Sequence, residues 1–284
     1  MSPKPRLPDD FIFSQSSLQD YQDCPRRFEL RYVRHVAWPT PVSRPVAAAE
    51  HHLGLGTAFH RLAYQHQMGI DVERLGPGID EPELARWWQA YLDHRPALPP
   101  ERYPEIVLTV SVPGTGHRLL AKFDLLACAP GERLVIVDWK TSRRRPRREH
   151  LAERMQTLVY PYVLTRGGAA MNGDAPVDPG TVEMLYWFAT YPAQPARFTY
   201  GDLGYGEAQA QLVGLIERIK HSLATDDWPE GDRCQWCRYA TFCGRGAETQ
   251  AREAGDLDTL VDVEAEETLE AFDLDLEQVA EVEF

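Results

Sequence analysis

The pattern of apolar and polar positions is clearest in the middle of the chain, where a short apolar run ends abruptly in charged residues. Residues 134–137 are all apolar and mostly β-branched, which is typical of a buried strand, and Asp138 and Lys140 follow within three positions. Residues 118–128 have the composition of a second strand. The proline and glycine within residues 129–133 indicate a turn, so the pattern predicts a hairpin.

This hairpin is expected to bring acidic residues together. With the turn centred on Gly131, Asp124 lies directly opposite Asp138. Facing carboxylates repel each other unless a cation lies between them, and a divalent, oxygen-preferring ion such as Mg²⁺ or Mn²⁺ suits such a site. Because side chains alternate along a strand, Lys140 shares a face with Asp138. Glu105 begins the preceding strand and is left out of the predicted site.

The rest of the pattern predicts helices around a central sheet. Ser17 is expected to cap a first short helix, and Pro25 to restart it from Arg26 to Val33. Residues 36–50, with three prolines, are predicted to form a linker. Three strands between residues 105 and 140 are predicted, with another at 182–190 and helices at 57–68, 83–94, 149–165 (kinked at Pro161) and 207–223. These elements indicate a mixed α/β sandwich.

Composition and charge narrow the class of protein. The chain of 284 residues is 43% hydrophobic and 10% aromatic, which is ordinary globular composition. Its net charge of −13 resides in one segment, because residues 247–284 contain 14 acidic residues and one basic residue, leaving 29 of each sign in residues 1–246. No apolar run approaches the roughly 18 residues of a transmembrane helix, and the N-terminus lacks an apolar signal region. A cytoplasmic protein without membrane contact is expected.

A dense group of arginines follows the predicted hairpin. Five arginines lie within six positions, closely after Lys140 and Thr141: Arg143, Arg144, Arg145, Arg147 and Arg148. Guanidinium groups beside an acidic metal site are suited to contacts with nucleic-acid phosphates. A solvated surface loop is the alternative, since runs of like charge are often only surface.

The cysteines form a second candidate site. Cys234, Cys237 and Cys243 fall within ten residues of a chain that has only five cysteines. A metal ion or cluster held by three thiols needs a fourth ligand. Cys128 lies on the predicted strand of Asp124 and is better explained as a small buried hydrophobe, which leaves Cys24 as the candidate.

Several segments, in this order, match the motifs of one superfamily. They are Ser16-Ser17-Leu18 with Cys24-Pro25-Arg26-Arg27-Phe28, then Gly56-Thr57-Ala58-Phe59-His60, then Asp124 with Asp138-Trp139-Lys140, then Gln156-Thr157-Leu158-Val159-Tyr160, and finally the three C-terminal cysteines. Together they resemble the PD-(D/E)XK nuclease superfamily, in particular its RecB/AddB branch and the related small CRISPR-associated nucleases. The resemblance spans residues 16–243, with Phe123 in place of the proline that often precedes the first acid.

The resemblance implies a catalytic site for DNA hydrolysis. Asp124 and Asp138 would bind one or two Mg²⁺ or Mn²⁺ ions, with His60 as a further ligand. Lys140 would orient the attacking water or stabilise the developing charge. A helical histidine satisfied by a partner in the core is the alternative for His60, and a surface lysine ending a strand is the alternative for Lys140.

The resemblance also implies roles outside the metal ligands. Gln156 and Tyr160, one turn apart on a helix, would contact the DNA strand near the scissile phosphate, although Tyr160 packed in the core is an alternative. Cys24 would join Cys234, Cys237 and Cys243 around a 4Fe–4S cluster, for which a zinc ion is the alternative.

The implied fold is restriction-endonuclease-like, with a central mixed sheet flanked by helices and a four-cysteine cluster that joins the N- and C-terminal segments. Residues 1–246 would form the nuclease domain, with a helical insertion at about 50–100, and residues 247–284 an acidic tail. Trp139 is expected to be a core residue.

The expected function is that of a metal-dependent DNA exonuclease in repair or recombination, acting on single-stranded or ended DNA. A nuclease that trims DNA ends in CRISPR adaptation and a non-catalytic DNA-binding or scaffold protein are the alternatives. The absence of a nucleotide-binding phosphate loop from the sequence predicts no ATP-driven motor. Apolar residues within the acidic tail predict that it docks on a partner protein or folds back on the arginines, with a bland solvated tail as the alternative.

Overall fold

The computed structural model describes residues 6–8, 10–36, 44–231, 237, 239, 242 and 243. The strands are β1 (Ile12–Ser14), β2 (Glu101–Ser111), β3 (Arg118–Ala129), β4 (Arg133–Lys140), β5 (Val182–Phe188) and β6 (Ala196–Thr199). The α-helices are α1 (Gln15–Asp23), α2 (Pro25–Phe28), α3 (Arg44–Gln67), α4 (Val72–Leu75), α5 (Pro82–His94), α6 (Arg148–Glu153), α7 (Met155–Gly167) and α8 (Asp202–Thr225), and a π-helical turn, Glu29–Val33, follows α2.

The long strand β3 organises the sheet. One edge of β3 pairs with the antiparallel strand β2 along its whole length. The other edge is divided, because β1 pairs in parallel with residues 118–120 and β4 pairs antiparallel with residues 125–129. Strands β5 and β6 continue the sheet beyond β4. The ends of β1 and β4 therefore meet beside residues 121–124 of β3.

The two faces of the sheet carry separate cores. Alternate residues of β4 divide between them, with Leu134 and Ile136 on one face and Val135, Val137 and Trp139 on the other. Helices α1, α7 and α8 cover the first face, and α3 and α5 cover the second with several aromatic side chains. Trp139, 3% exposed, is a core residue as expected.

The hairpin has the predicted register. Gly131 adopts a positive φ of 75° in the turn, a conformation that glycine enters without steric cost. The ladder pairs Ala129 with Arg133 at one end and Leu125 with Val137 at the other, so Asp124 and Asp138 are the next residues in line. The mixed α/β architecture expected from the sequence is therefore confirmed.

Several predicted boundaries were wrong. Helix α3 begins at Arg44, inside the predicted linker, because the alanines that follow Pro45 favour a helix and the proline occupies its first turn. Ser14, rather than Ser17, is the N-cap of α1, while Ser17 closes the capping box from the third position. The break in the predicted helix at 149–165 falls at Arg154, which is extended, and α7 continues through Pro161.

Candidate active site

Asp124 lies at the point where β3 and β4 separate. Beyond the last ladder pair, the Asp124 carboxylate takes the place of a backbone acceptor, and Oδ2 receives a hydrogen bond of 2.8 Å from the backbone N–H of Trp139. This bond holds the carboxylate beside the end of β4. Its other oxygen, Oδ1, lies 3.3 Å from Nδ1 of His60, which α3 supplies from the second face of the sheet.

Glu105 completes a group of three potential ligands. On β2, the residues on either side of it pair with Leu125 and Phe123, so Glu105 lies across from Asp124. One ligand atom from each of His60, Glu105 and Asp124 lies within 4.8 Å of the others. We call these three residues, together with Lys122, the acidic half of the site, because Nζ of Lys122 lies 2.7 Å from Oε2 of Glu105.

Glu105 has an unusual backbone conformation. Its φ is 55°, in the left-handed region that residues other than glycine seldom adopt, and it lies inside a strand. Such a conformation costs on the order of 1–3 kcal/mol and persists only where the surrounding structure enforces it. The pairing of β2 with β3 resumes in the same register on both sides, so the strain is confined to the residue that faces Asp124.

The electrostatics of the acidic half couple His60 to Asp124. Burial by itself lowers the pKa of His60, but the adjacent Asp124 carboxylate, with smaller contributions from Asp138 and Glu105, more than offsets this effect and raises the pKa to about 9. Burial would raise the pKa of Asp124, yet the charge of His60 and the hydrogen bonds that the carboxylate accepts lower it below its usual value. The protonated imidazole therefore neutralises part of the carboxylate charge.

The donor set of the acidic half fits a divalent metal ion. Two carboxylates and one imidazole supply the oxygen and nitrogen ligands that Mg²⁺ and Mn²⁺ accept in proteins, with Mn²⁺ the more tolerant of imidazole. His60 would have to bind as the neutral imidazole, because only the neutral form offers a lone pair. Among the residues that the structure describes, this is the single group of histidine, cysteine and acidic side chains compact enough to hold one ion.

The second half of the site is buried and closed by hydrogen bonds. Nζ of Lys140 lies 3.1 Å from Oδ2 of Asp138 and donates to Oε1 of Gln156 at 3.2 Å, while Nε2 of Gln156 donates to Oδ1 of Asp138. The side chains of Asp138 and Lys140 are only 7% and 9% exposed. We call these three residues the buried half of the site.

Tyr186 of β5 supports the buried half, and no local sequence signal identified it. It pairs with Asp138 in the parallel ladder, and Nζ of Lys140 lies 5.8 Å from the centre of its ring. Its hydroxyl is 2.7 Å from Oγ1 of Thr157 on α7. Burial and the neighbouring Asp138 carboxylate raise the pKa of Tyr186 well above its usual value.

The structure brings some of the predicted site residues together and leaves others apart. His60 and Asp124 meet as expected, and Glu105, which was left out, joins them. Asp138 stands outside this group of three, although it is close enough to raise the pKa of His60. Tyr160 is buried, with its ring 5.1 Å from that of Phe123, so the alternative of core packing accounts for the position of the ring.

Residues 143–148, which we call the arginine loop, are held against the sheet at two points. The guanidinium of Arg148 lies 4.2 Å from the ring centre of Phe198, and that of Arg145 lies 5.7 Å from the ring centre of Phe188. Nε of Arg145 also donates to the backbone oxygen of Gln194. Arg144, Arg147 and Arg148 are exposed, while Arg143 and Arg145 are partly buried. The loop thus presents a positive surface, and it begins three residues after Lys140 in the chain.

The segment 229–231 lies close to α2, but the described cysteines near it form no ligand set for one metal ion. Backbone around residue 229 reaches α2, where Pro229 accepts a hydrogen bond from the N–H of Arg26, and the N–H of Gly231 donates to Sγ of Cys24 at 3.3 Å. Burial raises the pKa of Cys237 to about 11, with smaller contributions from Cys24 and Cys243.

The predicted four-cysteine cluster is not shown by the structure. The described thiols of Cys24, Cys237 and Cys243 are not close enough to hold one metal ion, and Cys234 lies outside the described residues. Cys128 is fully buried in the core, as expected. The acidic tail, 247–284, also lies outside the described residues.

Comparison with known proteins identifies the family. Residues 12–244 match the PD-(D/E)XK nuclease superfamily, and the chain belongs to this superfamily. No curated protein sequence is significantly similar to the chain. The solved structure of a candidate exonuclease from Eubacterium rectale is 10% identical with a TM-score of 0.44, covering 78% of this chain and 84% of that one. The structure of SSO0001 is 13% identical with a TM-score of 0.36, covering 82% and 85%.

No helix among the described residues has the length and apolar character to cross a bilayer.

Proposed function

We propose that the protein is a metal-dependent deoxyribonuclease that degrades DNA from an end. The observation that supports this most directly is the meeting of the acidic half and the buried half where β1 and β4 approach β3. A group of potential metal ligands and a buried lysine held by a carboxylate and an amide would then act on the same phosphate. This combination is what phosphodiester hydrolysis requires.

The two halves would have different roles in hydrolysis. A Mg²⁺ or Mn²⁺ ion held by His60, Glu105 and Asp124, with Asp138 beside them, would supply polarisation of the phosphate and activation of water. Lys140 would hold the water or the negative charge that develops on the phosphate oxygens. Gln156 fixes both Asp138 and Lys140 in position through its amide.

The arginine loop would bind the DNA strand near this site. Its exposed guanidinium groups lie on a loop that cation–π contacts and a backbone hydrogen bond hold in place, which reduces the entropy lost when phosphates bind. Tyr160 would act from the core, by supporting the helix that carries Gln156, in place of the direct DNA contact that the resemblance implies.

Cleavage of defined DNA substrates tests the proposal. Single-stranded DNA labelled at either end and a covalently closed circle of the same sequence are incubated with Mg²⁺, Mn²⁺ or EDTA. We expect mononucleotides or short products from the linear strand alone, and only with a metal ion. The variant Lys140→Met serves as the inactive form, and Lys220→Met, whose lysine pairs with Glu217 on α8, serves as the matched control.

Other outcomes select the alternatives. Cutting of the closed circle indicates an endonuclease. Binding without cleavage under all metal conditions indicates the non-catalytic DNA-binding protein. Cleavage that stops after a few nucleotides favours the trimming nuclease of CRISPR adaptation over a repair exonuclease.

A 4Fe–4S cluster at Cys24, Cys234, Cys237 and Cys243 is a separate proposal, supported by the family resemblance and by the contact of the 229–231 segment with α2. Elemental analysis of protein purified without oxygen tests it. Iron that is lost in Cys24→Ser supports the cluster, stoichiometric zinc selects the zinc alternative, and neither metal rejects both.

We also propose that residues 1–246 suffice for nuclease activity and that the acidic tail competes with DNA for the arginine loop. Truncation after Gly246 is then expected to tighten DNA binding most at low salt, because salt screens the competition between anions. Equal affinities with and without the tail would leave docking on a partner protein as its role.

A further inference from the structure

A narrow cleft adjoins the buried half of the site. Three elements line it, namely α1, the π-helical turn that follows α2, and the beginning of α7. The side chains that matter for its chemistry are Gln15 and Ser16 from α1, Arg31 from the turn, and Arg154 and Gln156 from the start of α7. The cleft lies where β1 ends, beside the separation of β3 and β4.

The cleft has a positive electrostatic character. Arg31 and Arg154 both line it. Two helices also begin there, α1 at Gln15 and α7 at Met155, but Ser14 already caps α1 and Oε1 of Gln19 accepts a hydrogen bond from the N–H of Met155. The two guanidinium groups are therefore the feature of the cleft that favours an anion.

Asp20 is the one acidic residue that lines the cleft, and its charge is already matched. Oδ1 of Asp20 lies 2.8 Å from Nε of Arg27, and Oδ2 accepts a hydrogen bond of 2.9 Å from Nη1 of Arg31. The carboxylate is almost fully buried. Asp20 therefore holds the guanidinium group of Arg31 at the cleft, and Arg154 gives the lining side chains an excess of one positive charge.

Gln15 indicates that a ligand belongs in the cleft. Its side chain lines the cleft and the residue is 6% exposed, yet its amide makes no hydrogen bond to any described residue. The N–H₂ group of Gln15 is suited to donate to an oxygen of a bound anion.

Gln156 belongs both to the wall of the cleft and to the buried half of the site. The same side chain lines the cleft and bonds to both Asp138 and Lys140. An anion in the cleft would therefore lie next to the buried half of the site. We propose that the cleft binds a phosphate group of the substrate strand, and that a terminal phosphate monoester is the preferred form. It has three non-bridging oxygens, one more than an internal phosphodiester, to accept hydrogen bonds from Arg31, Arg154 and Gln15.

This inference rests on the proposed nuclease function, and a binding experiment without metal separates the two. Fluorescent single-stranded oligonucleotides of one sequence carry a phosphate or a hydroxyl at the 5′ end, or a phosphate or a hydroxyl at the 3′ end. Their affinities are measured in EDTA for the wild type, Gln15→Leu and Arg154→Gln. Arg166→Gln is the matched control, since Arg166 lies at the far end of α7 over the ring of Tyr162.

We expect the wild type and Arg166→Gln to bind one phosphorylated end about tenfold more tightly than its hydroxyl counterpart, which is about 1.4 kcal/mol. Gln15→Leu and Arg154→Gln should remove that difference while thermal unfolding shows that they remain folded. Equal weakening of all oligonucleotides by both variants would overturn the preference for an end and assign the cleft to an internal phosphodiester.

Unchanged affinities in both variants would overturn the phosphate assignment altogether. The outcome is independent of cleavage, because a protein that fails to cut DNA can still distinguish a phosphorylated end in EDTA. If the wild type cuts DNA and both variants bind the oligonucleotides like the wild type, the phosphate-binding role of the cleft is rejected and the nuclease function is not.

Discussion

The acidic half and the buried half of the site are both built from carboxylates paired with cationic side chains, but they differ in how far these side chains are exposed. The acidic half gathers three potential ligands and balances its two carboxylates with His60 and Lys122, in side chains that remain 18–26% exposed. The buried half holds a single carboxylate and a single lysine, both less than 10% exposed, through the Gln156 amide. One half is therefore arranged to exchange its cations for a metal ion, and the other to keep its geometry unchanged.

The difference shows how burial assigns roles to charged residues. An exposed ion pair is weak and easily replaced, since water and salt screen it. A buried pair is costly to break, because the partner left behind is desolvated and uncompensated. Four predictions test whether the two halves behave in these separate ways.

The largest effect is expected on cleavage. Asp124→Asn and Lys140→Met should each lower the rate of DNA hydrolysis by roughly 100-fold or more, equivalent to at least about 2.7 kcal/mol of barrier. Only Asp124→Asn should also weaken Mn²⁺ binding, which calorimetry measures without DNA. Equal Mn²⁺ affinities for the two variants would contradict the division between the halves.

A large difference in stability is expected between the two lysines of the site. Lys140→Met leaves Asp138 buried without its cation and should lower the free energy of unfolding by about 3 kcal/mol. Lys122→Met removes a more exposed partner and should change it by less than about 1 kcal/mol. Urea denaturation of the metal-free proteins measures both values, and similar losses would show that the acidic half is as rigid as the buried half.

The pH dependence of stability should report the pairing of His60 with Asp124. The pKa of His60 rises to about 9 in the folded protein from its usual 6.5, so folding favours the protonated form. The stabilisation is therefore complete below about pH 6.5, at most about 3 kcal/mol, and is lost as the pH rises through 9.

Unfolding of the metal-free wild type and His60→Asn at pH 6 and pH 10 checks this, with the exposed His150→Asn as control. The difference between wild type and His60→Asn should shrink at the higher pH. A difference that grows with pH would show that His60 is neutral in the folded protein.

The smallest effect concerns Lys122 as a competitor of the metal ion. Because Lys122 pairs with Glu105, its removal in Lys122→Met should tighten Mn²⁺ binding by less than about tenfold, or about 1.4 kcal/mol. Lys220→Met, which removes an exposed pair on α8, should leave the affinity unchanged. Weaker Mn²⁺ binding in Lys122→Met would mean that the lysine supports the ligand geometry.

The sequence by itself determined the hairpin and the family. The alternation of side chains and the turn at Gly131 are local properties, so they set the register that places Asp124 opposite Asp138 and put Lys140 on the same face as Asp138. The order of the motifs was sufficient to indicate the superfamily to which the chain belongs. Helices with a strong amphipathic pattern, such as α5, were also predicted to within about a residue.

Only the tertiary structure decided how the charged residues are paired. Glu105 faces Asp124 because β2 pairs with β3 along their whole length, and no local pattern states that register. His60 meets Asp124 because α3 packs on the second face of the sheet, whereas Gln156 clamps Asp138 and Lys140 from the first face. A sequence motif identifies such residues but does not show how deeply each one is buried. Burial and neighbouring charges, which only the packed structure provides, determine the pKa of His60 and hold Lys140 more firmly than the more exposed Lys122.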